Sequence, residues 1–155
     1  LNALDKCYQG YKVKHGRKHG KSDFNNNHVN NKKSNQTNGS VDTSAASFGL
    51  NAAHAFLFHS PYCKLVQKSF GRLLWNDYLS MPDDDAARKS LSTLEKFKQL
   101  SHEETLGDKQ LEKELVQISE SLFRAKCESS LLFAKEIGNM YTPSLYSCLA
   151  SYLIR

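Results

Sequence analysis

The sequence predicts an α/β fold that is rich in helix and contains a few buried strands. The chain has 155 residues, enough for one domain with its own hydrophobic core. Two short apolar runs, AHAFLF at 53–58 and SLLFAKEI at 130–137, have the length and composition of buried strands. Longer stretches repeat apolar residues at helical spacing. Strand, helix, helix, strand, helix is an order typical of part of an α/β domain.

The first predicted element is a helix over residues 1–19. Three apolar or aromatic residues recur there at helical spacing, namely Leu4, Tyr8 and Tyr11. Glycines at positions 16 and 20 mark its end, so residues 1–21 form the first unit. Residues 22–47 are rich in Asn and of low complexity. We expect them to be a disordered surface insertion, because long polar loops cost little closure entropy.

Residues 48–155 form the second predicted unit. After the strand at 53–58, Pro61 suits the first turn of a helix that continues to about residue 79. An apolar stripe at helical spacing supports this helix: Tyr62, Leu65, Val66, Phe70, Leu73, Leu74 and Tyr78. The acidic sequence MPDDD then favours a helix start and predicts a helix from about 86 to 99.

The remaining elements include a helix from about 109 to 122 or beyond, with four apolar residues on one stripe: Leu111, Leu115, Ile118 and Leu122. The strand at 130–137 follows it. GNMYTP at 138–143 is typical of a turn. Thr142 is suited to cap, and Pro143 to open, a last helix.

The charge, hydropathy and cysteine patterns indicate which classes of protein fit this sequence. The net charge is +5, and eight of the Lys and Arg residues lie in the first 40 positions. This basic stretch fits either a solvated helix face or a polyanion site, but its second half lacks the interleaved aromatics of a nucleic-acid surface. No apolar run approaches the roughly 18–20 residues of a membrane span. The four cysteines form no CxxC pair, which disfavours a zinc site, and their wide spacing favours free thiols in a reducing compartment.

No metal site is predicted. His15 and His19 are four apart on the first helix, but no third ligand is evident. The first residues lack the order of a secretory signal. We expect a cytoplasmic protein, with a mitochondrial form left open, because any transit peptide would lie upstream of this sequence. The pattern at both ends of the sequence also leads us to expect a piece of a longer protein.

The stretch FLFHSPYCKLVQKS at 56–69 carries the strongest candidates for chemistry. His59 follows a predicted strand, where functional groups gather in α/β sheets, although a backbone-bonded structural histidine fits equally. Cys63 is a candidate nucleophile, but a buried structural thiol is favoured. Lys64 and Lys68 near a helix start suit a phosphate-bearing ligand, against a plain solvated face. Asn139 in its turn offers an amide donor, against an ordinary turn role.

These motifs together resemble a known family. FHSPYCKLVQKS at 58–69, followed by RLLWNDYLS at 72–80, looks like hydroxymethylglutaryl-CoA synthase of the eukaryotic type. ALDKCYQGY at 3–11 resembles the same family upstream, and SLLFAKEIGNMYTPSLYSCLASYL at 130–153 resembles it downstream. The similarity covers most of the chain outside the Asn-rich tract.

The resemblance implies a thiolase-like fold and a homodimer. It implies the condensation of acetyl-CoA with acetoacetyl-CoA and water to hydroxymethylglutaryl-CoA and CoA, a step that feeds mevalonate, isoprenoid and sterol synthesis. The coenzyme A thioesters are substrates, and no separate cofactor is implied. No nucleic-acid or membrane partner is expected.

The resemblance also implies residue roles. His59 matches the family's histidine that orients acetoacetyl-CoA, Lys64 and Lys68 match lysines expected near CoA, and Asn139 matches an asparagine expected near the acyl carbonyl. The family's acetyl-carrying cysteine and general-base glutamate lie upstream of what resembles residues 1–11. We therefore expect the isolated chain to be an inactive fragment. Two other functions stay open, an inactive acyl-CoA binder and a basic interaction module that uses residues 1–33.

Overall fold

A computed structural model of the chain describes residues 1–19 and 49–155. The insertion predicted at 22–47 lies outside these residues. The helices within the two ranges are α1 (Asn2–His19), α2 (Cys63–Ser80), α3 (Ala86–Ser90), α4 (His102–Gly107), α5 (Lys109–Lys126), α6 (Leu132–Glu136) and α7 (Ser144–Leu153). Three 3₁₀ turns accompany them, at Leu50–Ala52, Ser92–Phe97 and Glu128–Leu131. None of the helices in the two ranges combines the length and the apolar character needed to cross a bilayer.

Helix α2 is the centre of the fold, and the long helices α1 and α5 both pack on it. Every residue from 70 to 78 is buried, because neighbours cover α2 on several faces. Gly71 lies against α5, where a Cβ atom would come within 3.1 Å of the backbone carbonyl carbon of Leu115. The absence of a side chain at Gly71 therefore sets how closely the two helices approach.

Two hydrophobic clusters surround α2. The first joins residues from α1, α2, α5 and the C-terminal elements, and its buried members include Tyr8, Leu50, Val66, Phe70, Leu73, Phe123, Leu131 and Cys148. The second lies towards the end of α2 and consists of Trp75, Tyr78, Leu94, Phe97, Leu111 and Leu115. The apolar stripes predicted for 62–79 and 109–122 contribute buried residues to both clusters, and both segments are helical. Those two helix predictions are therefore confirmed, as is the first helix.

The strand predicted at 53–58 is not formed. These residues run as irregular backbone, and none of the described residues outside helices pairs with them in a ladder. Their main-chain attachment is to α5, where the Phe56 amide donates to the Lys126 carbonyl oxygen at 2.8 Å. The Phe56 ring packs edge-on against Phe70. The apolar side chains are thus satisfied by packing on helices, with no neighbouring strand in the described part of the chain.

The prediction of a strand at 130–137 is wrong, because this segment is helical. It comprises the end of the 3₁₀ turn Glu128–Leu131 and helix α6. Leu131 and Ala134 are buried three residues apart, which is a helical and not an alternating pattern. The helix-rich character that we predicted is therefore confirmed, whereas neither predicted strand is formed in the part of the chain that the structure describes.

Smaller differences concern helix ends. Pro61 precedes α2, whose N-cap is Tyr62, and Pro143 is itself the N-cap of α7, so Thr142 does not cap it. The helix predicted over 86–99 is divided into α3 and a 3₁₀ turn, although Asp85 caps α3 as its acidic sequence predicts, accepting from the Ala87 amide at 2.7 Å.

Helix α4 lies where no element was predicted. Helix α4 begins with a capping box, in which the Ser101 hydroxyl accepts from the Glu104 amide and the Glu104 carboxylate accepts from the Ser101 amide. The backbone hydrogen bond from Ser101 lowers the pKa of Glu104. This S-x-x-E pattern is visible in the sequence and is the signal that would have located the helix.

Candidate functional site

His59 is exposed at the end of the irregular segment 53–58, next to a firmly held backbone. The following residue, Ser60, is only 1% exposed, and its amide donates to the Ser144 hydroxyl at 3.0 Å. Ser144 is also 1% exposed and is the first residue of α7. The imidazole of His59 therefore faces solvent, while the peptide that follows it is fixed to the last helix.

Asn139 lies in a tight turn just before α7. The turn uses left-handed backbone at Gly138 (φ 89°) and at Tyr141 (φ 54°). Glycine adopts this conformation freely, whereas it is costly for a side chain such as that of Tyr141. The Asn139 side-chain oxygen accepts a hydrogen bond from the Tyr141 amide at 2.9 Å. Because that contact uses the oxygen, the NH₂ group of Asn139 keeps its two donors for another partner.

Three hydrogen bonds connect the peptide after His59 to the amide of Asn139. The Ser60 amide donates to the Ser144 hydroxyl, and the Ser144 amide donates to the Tyr141 carbonyl at 3.1 Å. The Tyr141 amide in turn donates to Asn139. Segments more than 80 residues apart in sequence thus form one hydrogen-bonded unit. This unit links the backbone that follows His59 to the turn that holds Asn139.

The two lysines of the same motif have different environments. Lys64 is exposed in the first turn of α2, and no side chain caps that helix start. Lys68 instead forms an ion pair with Glu112 on α5, with 2.8 Å between its Nζ and the glutamate Oε1. The hydrogen bond to Glu112 raises the pKa of Lys68. Lys64 is therefore available to an anionic ligand, whereas Lys68 must first leave Glu112.

The cysteines near the site have the environment of structural thiols. Cys63 is the first residue of α2 and packs against the first hydrophobic cluster. Burial raises the pKa of Cys127 to about 12 and also raises the pKa of Cys148. A neutral thiol is a poor nucleophile, so neither buried cysteine is suited to carry an acyl group. The side chain of His19 is not described, and the pairing of His15 with His19 as metal ligands stays untested.

Sequence reasoning did not identify Ser60 or Ser144 as residues of the site. Ser60 was only the middle residue of a His-Ser-Pro sequence, and the expected cap of the last helix was Thr142. Some serines are buried and accept a hydrogen bond from a backbone amide far away in the sequence, and others are solvated in the first turn of a helix. Nothing in the local sequence distinguishes the two. The link between the two segments is visible only in three dimensions.

Comparison with known proteins identifies the class. All of residues 1–155 match the family described as hydroxymethylglutaryl-coenzyme A synthase C terminal. The chain belongs to this family. His59, Lys64 and Asn139 thus lie in a C-terminal synthase segment.

Individual synthases are similar over nearly the whole chain. The chain is 41% identical over 153 residues to the cytoplasmic hydroxymethylglutaryl-CoA synthase of Gallus gallus, covering 99% of this chain and 26% of that protein. It is 37% identical over 153 residues to the mitochondrial synthase of Homo sapiens, with the same coverage of both proteins. The chain therefore spans about a quarter of the length of these curated relatives, which include both cytoplasmic and mitochondrial forms.

Proposed function

We propose that this chain acts as the C-terminal part of a hydroxymethylglutaryl-CoA synthase, an acyltransferase that condenses acetyl-CoA with acetoacetyl-CoA and water. The observation that carries the proposal is the hydrogen-bonded unit that joins the peptide after His59 to Asn139. It brings two separate motifs of the synthase resemblance into one structure. The match of the whole chain to the synthase family supports the same assignment.

His59 is the proposed acid at the ketone of acetoacetyl-CoA. Attack of the acetyl carbanion on that ketone places negative charge on its oxygen. An imidazolium within hydrogen-bond reach stabilises this charge and can transfer its proton to the new alkoxide. The exposure of His59 leaves its ring accessible to a substrate, and its backbone is held through Ser60. A group that is accessible and also positioned fits this role.

Asn139 is the proposed donor to an acyl carbonyl. Its side-chain oxygen is occupied by the Tyr141 amide, so the amide group has a defined orientation before any ligand arrives. A donor that is already oriented costs less reorganisation when it binds a developing oxyanion. The left-handed backbone at Tyr141 is the local feature that makes this geometry possible.

Lys64 and Lys68 are the proposed contacts to coenzyme A, and the thioesters are the proposed substrates without a separate cofactor. The start of α2 adds the positive end of an 18-residue helix without a side-chain cap. Lys64 is the stronger of the two candidates, since Lys68 is held by Glu112. Phosphate binding at Lys68 would require the exchange of one ion pair for another.

The acetyl-carrying cysteine and the general base of the reaction are not assigned to this chain, and we propose that the rest of a synthase supplies them. The same proposal includes a thiolase-like core completed by that remainder, a homodimer, and a cytoplasmic location with a mitochondrial form as the alternative. The exposed apolar side chains of α7 suit a role within a larger core: Leu145, Tyr146, Leu149, Tyr152 and Leu153.

A chimera tests the proposal directly. This chain replaces the matched segment of the Gallus gallus cytoplasmic synthase, and the loss of acetoacetyl-CoA is followed in the presence of acetyl-CoA. We expect turnover that depends on both thioesters. A folded chimera that binds CoA but does not turn over would instead support the inactive acyl-CoA binder. The same residues 1–155 expressed alone should show no turnover.

A further inference from the structure

We infer that Ser144 is a positioning residue of the reaction. Its hydroxyl fixes the peptide that follows His59 and thereby determines the position of the imidazole. This inference rests on the proposed function, in which His59 acts on the substrate ketone. Ser144 itself has no proposed contact with substrate. Its effect passes through the backbone of Ser60.

The geometry assigns the two serines different roles. Ser60 contributes its backbone amide to the contact, while its own hydroxyl is buried and has no hydrogen-bond partner among the described residues. Ser144 contributes its side chain. The Ser60 amide is buried with the residue, so removal of the Ser144 oxygen leaves that donor without its acceptor. The His-Ser-Pro peptide is then free to move towards another acceptor, and His59 moves with it.

The start of α7 is itself well fixed, which makes Ser144 a suitable anchor. Its amide donates to the Tyr141 carbonyl, and its carbonyl accepts from the Ser147 hydroxyl at 2.8 Å. Ser144 is thus hydrogen-bonded both to the peptide that follows His59 and to the turn that contains Asn139. A single residue therefore relates the positions of the two groups that are proposed to act on the carbonyl.

Ser151 provides a matched control on the same helix. It is fully buried, and its hydroxyl accepts from the Phe133 amide at 3.2 Å. Ser144→Ala and Ser151→Ala therefore make the same chemical change in the same helix, and each removes one acceptor from a distant backbone amide. Only the partner of Ser144 follows His59, whereas the Ser151 hydroxyl has the further bond that it donates to the Ser147 carbonyl at 2.8 Å. A purely structural role predicts similar effects from both variants.

The kinetic test uses the chimera described above. We expect Ser144→Ala to lower kcat by about tenfold, because small displacements of a catalytic group are costly, while Ser151→Ala stays within about twofold. Ser144→Thr retains the hydroxyl and should recover at least half of the activity, which also decides the matter if the alanine variant does not fold. Equal losses in the two alanine variants, or a threonine variant as poor as Ser144→Ala, would overturn the inference.

A spectroscopic test separates this inference from the proposed function. In the 155-residue chain labelled with ¹³C-histidine, His59 is assigned by its loss in His59→Gln. Ser144→Ala should move the His59 resonance, and Ser151→Ala should leave it in place. An inactive parent chimera would reject the proposed function, but this spectrum would still decide whether Ser144 positions His59. An unmoved resonance in Ser144→Ala would reject the positioning role.

Discussion

Arg72 and Asp5 form an ion pair that is buried on both sides and fastens α1 to α2. The Arg72 Nη2 atom lies 2.8 Å from Asp5 Oδ2, and the two side chains are 3% and 1% exposed. Arg72 also donates from Nε to both oxygens of the carboxylate, and the Asn76 amide donates to one of them at 2.7 Å. Arg72 also donates from Nη1 to the Thr105 carbonyl and from Nη2 to the Thr105 hydroxyl on α4. Nearly all the polar atoms of this pair are satisfied.

Asp5→Asn should therefore be strongly destabilising. It leaves the Arg72 charge buried without its counterion, and the loss of one partner of a buried pair typically costs about 3–5 kcal/mol. The matched change is Glu112→Gln, which breaks the half-exposed pair with Lys68 and should cost far less, because exposed ion pairs contribute little to stability. Urea unfolding of the 155-residue chain measures both. Similar losses for the two variants would contradict the assigned role of the buried pair.

Gly71→Ala should destabilise the chain even though alanine is the better helix former. Its new Cβ would meet the Leu115 backbone at 3.1 Å, and a backbone atom cannot move aside as a flexible side chain does. We expect a loss of about 1–3 kcal/mol from this overpacking. Gly10→Ala on α1 is the control, because nothing lies within 4 Å of its Cβ. That variant should gain up to about 1 kcal/mol in the free energy of unfolding. A stabilising Gly71→Ala would show that α2 and α5 separate easily.

The helices with long apolar stripes could be predicted from the sequence, because burial on one face imposes the pattern. Val66, Phe70 and Leu74 illustrate this on α2, and all three are in the first hydrophobic cluster. The run at 130–137 could not be assigned from its composition, since a short run with five apolar residues among eight fits a helix and a strand equally. Its helical form becomes evident only from the burial of Leu131 and Ala134.

The residues of the candidate site could be predicted from the sequence, but the hydrogen bonds that connect them could not. The resemblance to a synthase identified His59 and Asn139, but the hydrogen bond that relates them joins Ser60 to Ser144 across 84 positions. The sequence also did not show that Lys64 and Lys68 have different environments. Their spacing of four puts them on one helix face, yet only the packing of α5 shows that Glu112 reaches Lys68 alone.

The buried thiol of Cys127 should make the chain less stable at alkaline pH. Burial raises its pKa from 9.0 to about 12. Above pH 9 the unfolded chain releases this proton while the folded chain retains it, so the stabilisation present below pH 9 is lost as the pH rises towards 12. The free energy of unfolding should fall by roughly 2 kcal/mol between about pH 8.5 and 10.5 from this group alone.

The contribution of Cys127 can be isolated by difference. Urea unfolding is measured across this pH range, with reductant present, for the unsubstituted chain and for Cys127→Ala. The cavity left by the alanine lowers the free energy of unfolding by the same amount at every pH. The difference in the free energy of unfolding between the unsubstituted chain and Cys127→Ala should therefore become smaller as the pH rises. Parallel curves would mean that the thiol does not titrate differently in the folded and unfolded chains.

Lys64→Ala should weaken CoA binding by the chimera more than Lys68→Ala does. Lys64 is exposed in the first turn of α2, whereas Lys68 must give up Glu112. A charged hydrogen bond to phosphate is worth about 1.5–3 kcal/mol, so we expect at least about a tenfold weakening for Lys64→Ala. Titration calorimetry with CoA measures the affinity. Glu112→Gln releases Lys68 and should strengthen binding, and a larger loss at Lys68 than at Lys64 would reverse the assignment.

The proposed role of His59 as the acid at the ketone is tested by the kcat of His59→Ala in the chimera. Loss of a positioned acid should lower kcat by about 10²–10⁴-fold. Thermal stability should change little, because the side chain is exposed. His54→Ala is the control, since His54 is exposed in the same segment and should leave kcat unchanged. A His59→Ala chimera that turns over at the unsubstituted rate would show that His59 is not the acid of the reaction.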